Sequence, residues 1–301
     1  REGSTLGPEL RRAMTELIAR ELADIEAGTY LAPPPFELPP AELVARSLRF
    51  LADIRAVDQR RRRRVADEPF RAGLRPDLPR YYLQNFHYQT DGWLSPHSAA
   101  LYDFQVETLF TGMADAMRRR ALPPLKQAVA GRMRTGRLLD IACGTGRFLA
   151  EVKRNWPRLA VTGLDLSAPY LAEARRNLAP WSRVELVEGN AEAMPLPDAA
   201  FDAVTAIFLF HELPRKARAR VAAEIARVLR PGGVFVLVDS LQAGDRPAFD
   251  PLIEAFPKTF HEPYYADYAR ADLADLFTPA GLEPIATELA FMSKVMAFRR
   301  V

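Results

Sequence analysis

Residues 138–148 read Leu-Leu-Asp-Ile-Ala-Cys-Gly-Thr-Gly-Arg-Phe, and this stretch decides the fold. A short apolar run that carries Asp140 leads into a glycine-rich turn, and an amphipathic stretch follows at once. The apolar positions of that stretch are Phe148, Leu149, Val152 and Trp156. A strand, a tight loop and a helix in this order bring backbone N–H groups up to a nucleotide-like ligand. The third glycine of the NAD-binding G-x-G-x-x-G pattern is missing, so the loop needs support from other segments.

That support comes from four further segments. Asp165 ends a second apolar run, 160–164, and lies about 20 residues after Gly144, the interval at which an acid meets ribose hydroxyls. The other three are the Glu-Gly-Asn-Ala-Glu stretch at 188–192, the apolar strand at 201–208, and the Arg-Val-Leu-Arg-Pro-Gly-Gly turn at 227–233 that leads into a valine-rich run.

These five elements together resemble the class I S-adenosylmethionine-dependent methyltransferases, and among them the ubiquinone and menaquinone biosynthesis group. The shared signatures are D-x-x-C-G-T-G, G-D/N-A-E-x-x-P and R-V-L-x-P-G-G. The resemblance is specific over 137–239, looser to residue 301, and does not extend into 1–130. It implies an α/β fold, with a Rossmann-like, doubly wound, seven-stranded and mostly parallel sheet. The apolar runs at 282–289 and 292–298 leave no room for a helix between them, so they predict a hairpin and an antiparallel last strand.

The resemblance assigns nine residues to the cofactor S-adenosylmethionine, whose product is S-adenosylhomocysteine. They are Asp140, Ala142, Gly144 and Gly146 around the methionine part, with Asp140 near its ammonium, Asp165 on the ribose, Leu166 on the adenine, Asn190 and Ala191 at the adenine edge, and Ile207 over the cofactor. Two positions depart from the family pattern. Ala142 replaces a glycine, so the turn must accept a Cβ, and Asn190 replaces an aspartate, which keeps an acceptor but removes its charge.

The chain divides into a mainly helical N-terminal region, 1–130, expected to cover the substrate, and a catalytic domain, 131–301. Residues 8–27 predict one helix, ended by glycine. Ser95-Pro96 predicts the start of another, with an apolar face that continues to Met117. The pair Pro123-Pro124 is expected to end that helix.

Arg60–Arg64 form a run of five arginines at the end of an amphipathic pattern that begins near Leu43. Cations are favourable at a helix C-terminus, so a solvated helix end explains the run. An anionic membrane surface, touched peripherally, and a phosphate-bearing partner are alternatives. With a net charge of only +3, nucleic acid is not expected as a partner.

Composition favours a cytoplasmic enzyme, either a monomer or a homodimer. The lone Cys143 rules out an intrachain disulfide and is expected to be a small buried side chain. Apolar runs stay well short of the ~20 residues of a membrane span. The sequence starts at Arg1 rather than Met, which suggests a trimmed or partial start.

Two aromatic segments, 81–93 and 239–268, are candidates for the wall of a pocket for a methyl acceptor. The alternative is that their rings only attach the N-terminal region to the catalytic domain. Together with the residue after Ile207, they supply the predicted substrate-binding residues Tyr82, Phe86, Tyr88, Trp93, Phe208, Tyr264 and Tyr265.

Methyl transfer from a sulfonium is an in-line displacement that needs alignment and water exclusion, and a base only if the acceptor loses a proton. His211, next to Glu212 just after the fourth strand, is the predicted base, and Glu212 is expected to hold its imidazolium. His87 and His261 are the alternatives. His211 could instead cap the helix that begins near Leu213.

The absence of certain sequence motifs reduces the number of possible classes of methyl acceptor. Enzymes that methylate amines of nucleic-acid bases carry N/D/S-P-P-Y/F after the fourth strand, where this chain has Ile207-Phe208-Leu209-Phe210. Cys143 is misplaced for cytosine chemistry, and no metal is expected. We therefore expect methyl transfer to an O, N or activated C of a hydrophobic small molecule, such as a quinone, phenol, isoprenoid or polyketide. A protein or RNA acceptor docked through the basic N-terminal region, or non-catalytic cofactor binding, are the other hypotheses.

Overall fold

The computed structural model describes residues 6–34, 53–72, 75 and 77–301, and these residues form one seven-stranded sheet. The strands are β1 Arg137–Ile141, β2 Ala160–Asp165, β3 Val184–Glu188, β4 Phe201–Ile207, β5 Leu229–Ser240, β6 Leu282–Ala290 and β7 Ser293–Arg300. They lie in the order β3-β2-β1-β4-β5-β7-β6. All neighbouring pairs from β3 to β5 are parallel, and β7 is antiparallel to both β5 and β6. The predicted sheet and its closing hairpin are confirmed.

Helices cover both faces of the sheet. In the described part of the chain they are α1 Leu6–Glu26, α2 at 53–63, α3 Glu68–Arg71, α4 Pro96–Leu109, α5 Ala114–Arg119, α6 Leu122–Ala128, α7 Arg147–Asn155, α8 Ala168–Leu178, α9 Arg215–Val228, α10 Asp250–Thr259, α11 Tyr265–Tyr268 and α12 Leu273–Phe277. None of these helices is both long enough and apolar enough to span a bilayer.

Strand residues alternate between two buried layers. Leu138 and Val236 pack with α1 and α5–α8 on one face, whereas Leu139, Phe235 and Leu237 pack with α9 and α12 on the other. Both faces are apolar because the crossover helices of parallel strands cover a sheet on both sides. The carboxyl ends of β1, β2, β4 and β5 therefore open along one edge, where ligands of such folds bind.

Buried arginines attach α1 to the rest of the molecule. Arg119 pairs with Glu21, and Arg120 pairs with Asp24, both acids of α1. Arg120 also donates from Nε to Glu288 Oε1 of β6 at 2.7 Å. A buried guanidinium that loses its carboxylates costs about 3–5 kcal/mol. These pairs therefore fix the N-terminal helix on the sheet.

The helix predicted from Ser95 is shorter than expected. Ser95 caps α4, as predicted, because its hydroxyl accepts a first-turn backbone N–H at 3.1 Å. The apolar pattern to Met117 predicted one helix, but α4 ends at Leu109. Thr111 and Gly112 follow with φ of 52° and 81°, a left-handed conformation that interrupts a helix. The helical pattern resumes in α5.

The proline pair is also placed differently from the prediction. Pro123 and Pro124 lie in the first turn of α6 instead of ending a helix. Proline suits that turn because its missing N–H has no intrahelical acceptor there.

The arginine run ends α2 and makes contacts within the chain. Arg60 donates to Glu68 Oε2 at 2.6 Å and to Thr90 Oγ1 at 3.0 Å. The Arg61 guanidinium lies over the Phe260 ring, 5.6 Å from its centroid. The predicted beginning of this helix, 43–52, lies outside the described residues. At least part of the run therefore has partners in the protein itself.

We predict that Gly163→Ala destabilises the fold at the glycine-rich loop. An added Cβ in β2 would lie 2.7 Å from Cys143 Sγ, 2.8 Å from Leu186 Cδ2 and 3.0 Å from Leu149 Cδ1. Overpacking of this kind lowers the free energy of unfolding by about 1–3 kcal/mol, which urea denaturation would measure.

The control is Gly7→Ala in α1, where the nearest atom to an added Cβ, Arg11 Nη1, is 3.7 Å away. That variant should match the wild type or gain up to about 1 kcal/mol. Equal stability of the Gly163 and Gly7 variants would contradict the close packing described.

Candidate active site

The loop after β1 is held in an unusual backbone conformation. Ala142, Gly144 and Gly146 have φ of 55°, 54° and 74°. Ala142 thus adopts a left-handed conformation that costs a residue with a Cβ about 1–2 kcal/mol. The loop is fixed from the neighbouring strand, because Gly144 N–H donates to Asp165 Oδ2 at 2.8 Å. The hydrogen bond thereby fixes the loop at the carboxyl edge of the sheet, next to Asp165.

A cleft lies over this loop, and we call it the glycine-loop cleft. Eight of the nine residues predicted to contact the cofactor line it: Asp140, Ala142, Gly144, Asp165, Leu166, Asn190, Ala191 and Ile207. Gly146 is not part of the lining. A Cβ at Gly146 would lie 2.8 Å from Leu178 Cδ1, so this glycine allows α7 to begin close to α8.

The N-terminal region supplies the opposite wall of the cleft. Its contributions are Tyr81, Tyr82, Phe86, Trp93, Tyr102, Asp103 and Arg118. This segment is fixed to α8, since Ser167 Oγ donates to the Trp93 carbonyl at 2.5 Å. The Tyr170 and Ser98 hydroxyls lie 2.8 Å apart.

Two buried acids face the cleft. Asp140 Oδ1 accepts a hydrogen bond from Thr205 Oγ1 at 2.6 Å, and burial raises the pKa of Asp140 to about 7. Asp165 Oδ1 accepts the Ser167 N–H at 2.8 Å. Burial raises the pKa of Asp165 to about 6, although its backbone hydrogen bonds oppose the rise. A ligand that brings an ammonium or hydroxyl donors would keep both carboxyls ionised.

A second hollow of about 450 Å³, the apolar cavity, adjoins the cleft. Its apolar lining comes from α1, α4, α10 and the β6–β7 turn, and includes Leu10, Met14, Val106, Leu109, Leu252, Ile253, Phe256 and Phe291. Polar groups are few, chiefly His87, His211 and Glu212. Tyr102, Phe208 and Glu212 line both spaces, so the cleft and the cavity meet at these residues.

His211 stands at this junction and is held by Asp239. Its Nδ1 lies 2.5 Å from Asp239 Oδ1, so Nδ1 carries the proton and Nε2 is left for another partner. Burial alone would lower the pKa of His211, but the charge and hydrogen bond of Asp239 outweigh it and raise the pKa to about 9. The Glu212 Oε1 is 4.0 Å from His211 Nε2. Asp239 is thus the group that holds the His211 ring at Nδ1, and the expected contribution of Glu212 to holding the imidazolium stays a prediction.

Asp239 was missed by sequence reasoning, although a signal was present. It stands near the end of the apolar run of β5, and β5 neighbours β4 in the sheet. Carboxyl ends of adjacent parallel strands meet at one edge, so an acid there can reach the loop after β4. Its Oδ2 accepts the Phe210 N–H at 2.7 Å.

The two alternative bases occupy different environments. His87 has φ of 53°, lines the apolar cavity, and places Nε2 3.1 Å from Glu262 Oε1. Burial, followed by the charges of His211 and His261, lowers the pKa of His87 to about 3. His261 is not part of either lining, and its Nε2 lies 3.0 Å from Gln84 Oε1. Burial lowers the pKa of His261 as well.

The predicted substrate residues divide into three groups. Tyr82, Phe86 and Trp93 line the glycine-loop cleft, Tyr265 lines the apolar cavity, and Phe208 lines both.

Tyr88 and Tyr264 belong to neither lining. The Tyr88 ring packs against His261 with centroids 5.5 Å apart, and the Tyr264 hydroxyl accepts from Gln84 Nε2 at 3.2 Å. α10 lies within the segment 239–268 proposed as a pocket wall, and its Phe256 lines the apolar cavity. Tyr102 and the contribution of α1 were missed, because no local pattern marks side chains that converge only in the folded chain.

Comparisons with known proteins agree with this geometry. A family model described as a methyltransferase domain matches residues 138–233. The ubiquinone/menaquinone biosynthesis C-methyltransferase of Methylobacterium nodulans is 35% identical over 161 residues, 52% of this chain and 62% of that protein. The phosphatidylethanolamine N-methyltransferase of Cereibacter sphaeroides is 33% identical over 175 residues, 56% of this chain and 78% of that protein.

The fold has a counterpart among solved structures. A SAM-dependent methyltransferase of Aquifex aeolicus superposes with a TM-score of 0.51 at 18% identity, over 69% of this chain and 100% of that one. The chain spans less than two thirds of the C-methyltransferase, but more than three quarters of the N-methyltransferase. The strand order, the glycine-rich loop with Asp165, and these relatives lead to one conclusion: the chain belongs to the class I S-adenosylmethionine-dependent methyltransferases.

Proposed function

We propose that this protein transfers the methyl group of S-adenosylmethionine to a hydrophobic small molecule held in the apolar cavity. The observation that carries the proposal is the junction at Tyr102, Phe208 and Glu212, where the glycine-loop cleft and the cavity meet. A donor in the cleft and an acceptor in the cavity would face each other across these three residues. Such an arrangement supplies the alignment that an in-line displacement needs.

The cofactor is proposed to lie along the cleft with its ribose on Asp165. Both oxygens of that carboxylate accept backbone N–H groups, and each retains a lone pair for a ribose hydroxyl. Asp140, buried at the end of β1, is placed to accept from the ammonium of the methionine part. Asn190 and Ala191 would contact the adenine edge, and Ile207 would lie over the cofactor.

The acceptor is proposed to be largely apolar. A cavity of about 450 Å³ falls within the range of about 300–1,000 Å³ that is typical of small-molecule sites. One relative is named for the biosynthesis of ubiquinone and menaquinone, and the other for phosphatidylethanolamine. These quinones and this lipid are largely apolar molecules. One is named a C-methyltransferase and the other an N-methyltransferase, so the methylated atom stays open among C, N and O.

His211 is proposed to remove the proton of an acceptor that carries one on a hydroxyl or acidic carbon. Asp239 fixes the ring by Nδ1, so the proton would pass to Nε2 while the methyl group leaves the sulfonium. The products are the methylated acceptor, neutral S-adenosylhomocysteine and protonated His211. With a pKa of about 9, His211 gains base strength but is mostly protonated at neutral pH.

We predict that Asp165→Ala weakens S-adenosylmethionine binding about ten- to a hundredfold. The variant loses charge-assisted hydrogen bonds worth about 1.5–3 kcal/mol. Isothermal titration calorimetry measures the affinity, and exposed Asp198→Ala is the matched control, expected to bind normally. An unchanged affinity in Asp165→Ala would remove the ribose assignment.

We predict that Leu252→Trp blocks the acceptor and spares the cofactor. The indole would fill the apolar cavity on the α10 side, because Leu252 lines that cavity and not the cleft. Transfer of labelled methyl to a reduced naphthoquinone or to phosphatidylethanolamine should fall at least about tenfold, while cofactor affinity stays within a factor of about two. Leu252→Met, which keeps the volume, should retain transfer. Full activity of the Trp variant would place the acceptor elsewhere.

We predict that Asp239→Asn moves the acidic limb of the pH–rate profile, along which the rate rises as His211 loses its proton, to lower pH. Asp239 raises the pKa of His211 to about 9, so removing its charge lets that pKa fall toward the ordinary value near 6.5. The neutral base then exists at lower pH, and the limb should shift by about two units. His211→Ala should abolish the limb and lower kcat at least about tenfold. A limb at the same pH in all three proteins would show that another group titrates.

A further inference from the structure

Three side chains that bind metals in other proteins converge at the junction of the cleft and the apolar cavity. His87 comes from the N-terminal region, Glu212 from the turn after β4, and Glu262 from the loop after α10. Their ligand atoms all lie within 4.8 Å of one another. His87 Nε2 and Glu262 Oε1 are 3.1 Å apart, the separation of two neighbouring ligands on one cation.

Glu262 is the observation that demands a ligand. Its side chain is 0% exposed, and neither Oε1 nor Oε2 has a hydrogen-bond donor among the described residues. An ionised carboxylate that is buried without donors costs several kcal/mol. A carboxyl in this position is therefore either protonated or held by a cation beside it.

The nearby His211 is bound mainly by Asp239. Its Nδ1 lies 2.5 Å from Asp239 Oδ1, whereas its Nε2 is 4.0 Å from Glu212 Oε1. Within the described ranges, the ion pairs of Glu262 and Glu212 are with His87 and His211, and neither acid pairs with a lysine or arginine. Two acids thus share this space with the imidazole of His87, and an imidazole nitrogen with carboxylate oxygens is a common set of metal ligands.

The backbone holds His87 in this place under strain. His87 and Tyr88 have φ of 53° and 57°, a left-handed conformation that costs each about 1–2 kcal/mol. Strain of this kind persists where surrounding packing fixes a functional side chain. The His87 ring packs edge-on against the adjacent rings of Phe256 and Phe260, each with a centroid 6.2 Å away.

We propose that His87, Glu212 and Glu262 bind one divalent transition-metal cation of the Zn²⁺ or Mn²⁺ kind. One imidazole and two carboxylates are a donor set that suits these ions, and three protein ligands leave positions open for an oxygen of another molecule. The sequence predicted no metal, because the three ligands belong to segments far apart in the chain.

The inference rests on the proposed function and adds the way in which the acceptor is held. Glu212 lines both spaces and His87 lines the apolar cavity, so the cation would face an acceptor opposite the donor methyl. A cation there would bind a hydroxyl or enol oxygen and favour its anion. The acceptor class is then narrowed to molecules with such an oxygen on an apolar body.

Metal titration of the full chain tests the proposal. Protein stripped with a chelator should bind one equivalent of Zn²⁺ or Mn²⁺ by calorimetry, and Co²⁺ should give visible absorption bands of a low-symmetry site. Each metal should raise the melting temperature. Glu262→Gln, which is nearly isosteric, should weaken metal binding at least about tenfold and lose the Co²⁺ bands. Glu254→Gln, an exposed position of α10, is the control and should behave like the wild type.

The competing explanations give different results. If Glu262 is protonated and donates to His87, metal will not bind and Glu262→Gln will leave stability unchanged or raised. If the carboxylates hold the sulfonium, Glu262→Gln will reduce the preference for S-adenosylmethionine over S-adenosylhomocysteine without any metal effect. Either result overturns the metal site. Calorimetry with S-adenosylmethionine on the same samples tests the proposed function separately. A protein that binds metal but not S-adenosylmethionine would refute the proposed function and leave the metal site standing.

Discussion

The carboxylate of Asp239 is the contact on which both ligand spaces depend. Fully buried at the end of β5, it accepts hydrogen bonds from His211 Nδ1, Phe210 N–H and Ser240 N–H. The turn after β4 is shaped by these bonds, and that turn supplies Phe208, His211 and Glu212. Removing a buried carboxylate that accepts several hydrogen bonds costs about 3–5 kcal/mol of folding free energy. The position of the turn after β4, and with it the junction, therefore depends on Asp239.

The N-terminal region is joined to the catalytic domain by polar bonds as well as by rings. Trp93 packs edge-on against Tyr102 and Tyr170, with centroids 5.4 Å and 5.8 Å away. Ser167, the cap of α8, also bonds the Trp93 carbonyl. Trp93 therefore both attaches the segment 81–93 to α8 and lines the glycine-loop cleft, while a role of this segment in holding an acceptor stays a prediction.

How far the sequence predicts the structure depends on how local each signal is. The loop of Ala142 and Gly144 and its partner Asp165 are predictable, since strand, turn and helix are contiguous and the acid follows at a fixed interval. The end of α4 at Leu109 was not, because nothing in the apolar pattern marks Thr111 as left-handed. Local propensity decides such elements only weakly.

The candidate site shows the same division more sharply. Asp140 and Asp165, the two buried acids that line the glycine-loop cleft, stand within motifs, whereas Asp239 and Glu262 contact residues of other segments. Aromatic content alone placed Tyr88 and Tyr264 in the pocket, but both rings are used in packing with His261 and Tyr81. Aromatic residues that pack in the core and aromatic residues that contact a ligand look alike in a sequence. Only the tertiary structure shows which of the two roles a given residue has.

Phe208 lies at the boundary between the glycine-loop cleft and the apolar cavity. It has φ of 57°, stacks on Phe110 with centroids 5.8 Å apart, and has the Arg118 guanidinium 5.8 Å from its ring. One aromatic ring, supported from outside the sheet, thus forms much of the partition between the two spaces. A substitution of Phe208 would change the width of the opening between the cleft and the cavity, while the glycine-rich loop and the strands keep their contacts. Under the proposed function, one substitution here would change which acceptors reach the donor, while the loop proposed to hold the donor stays intact.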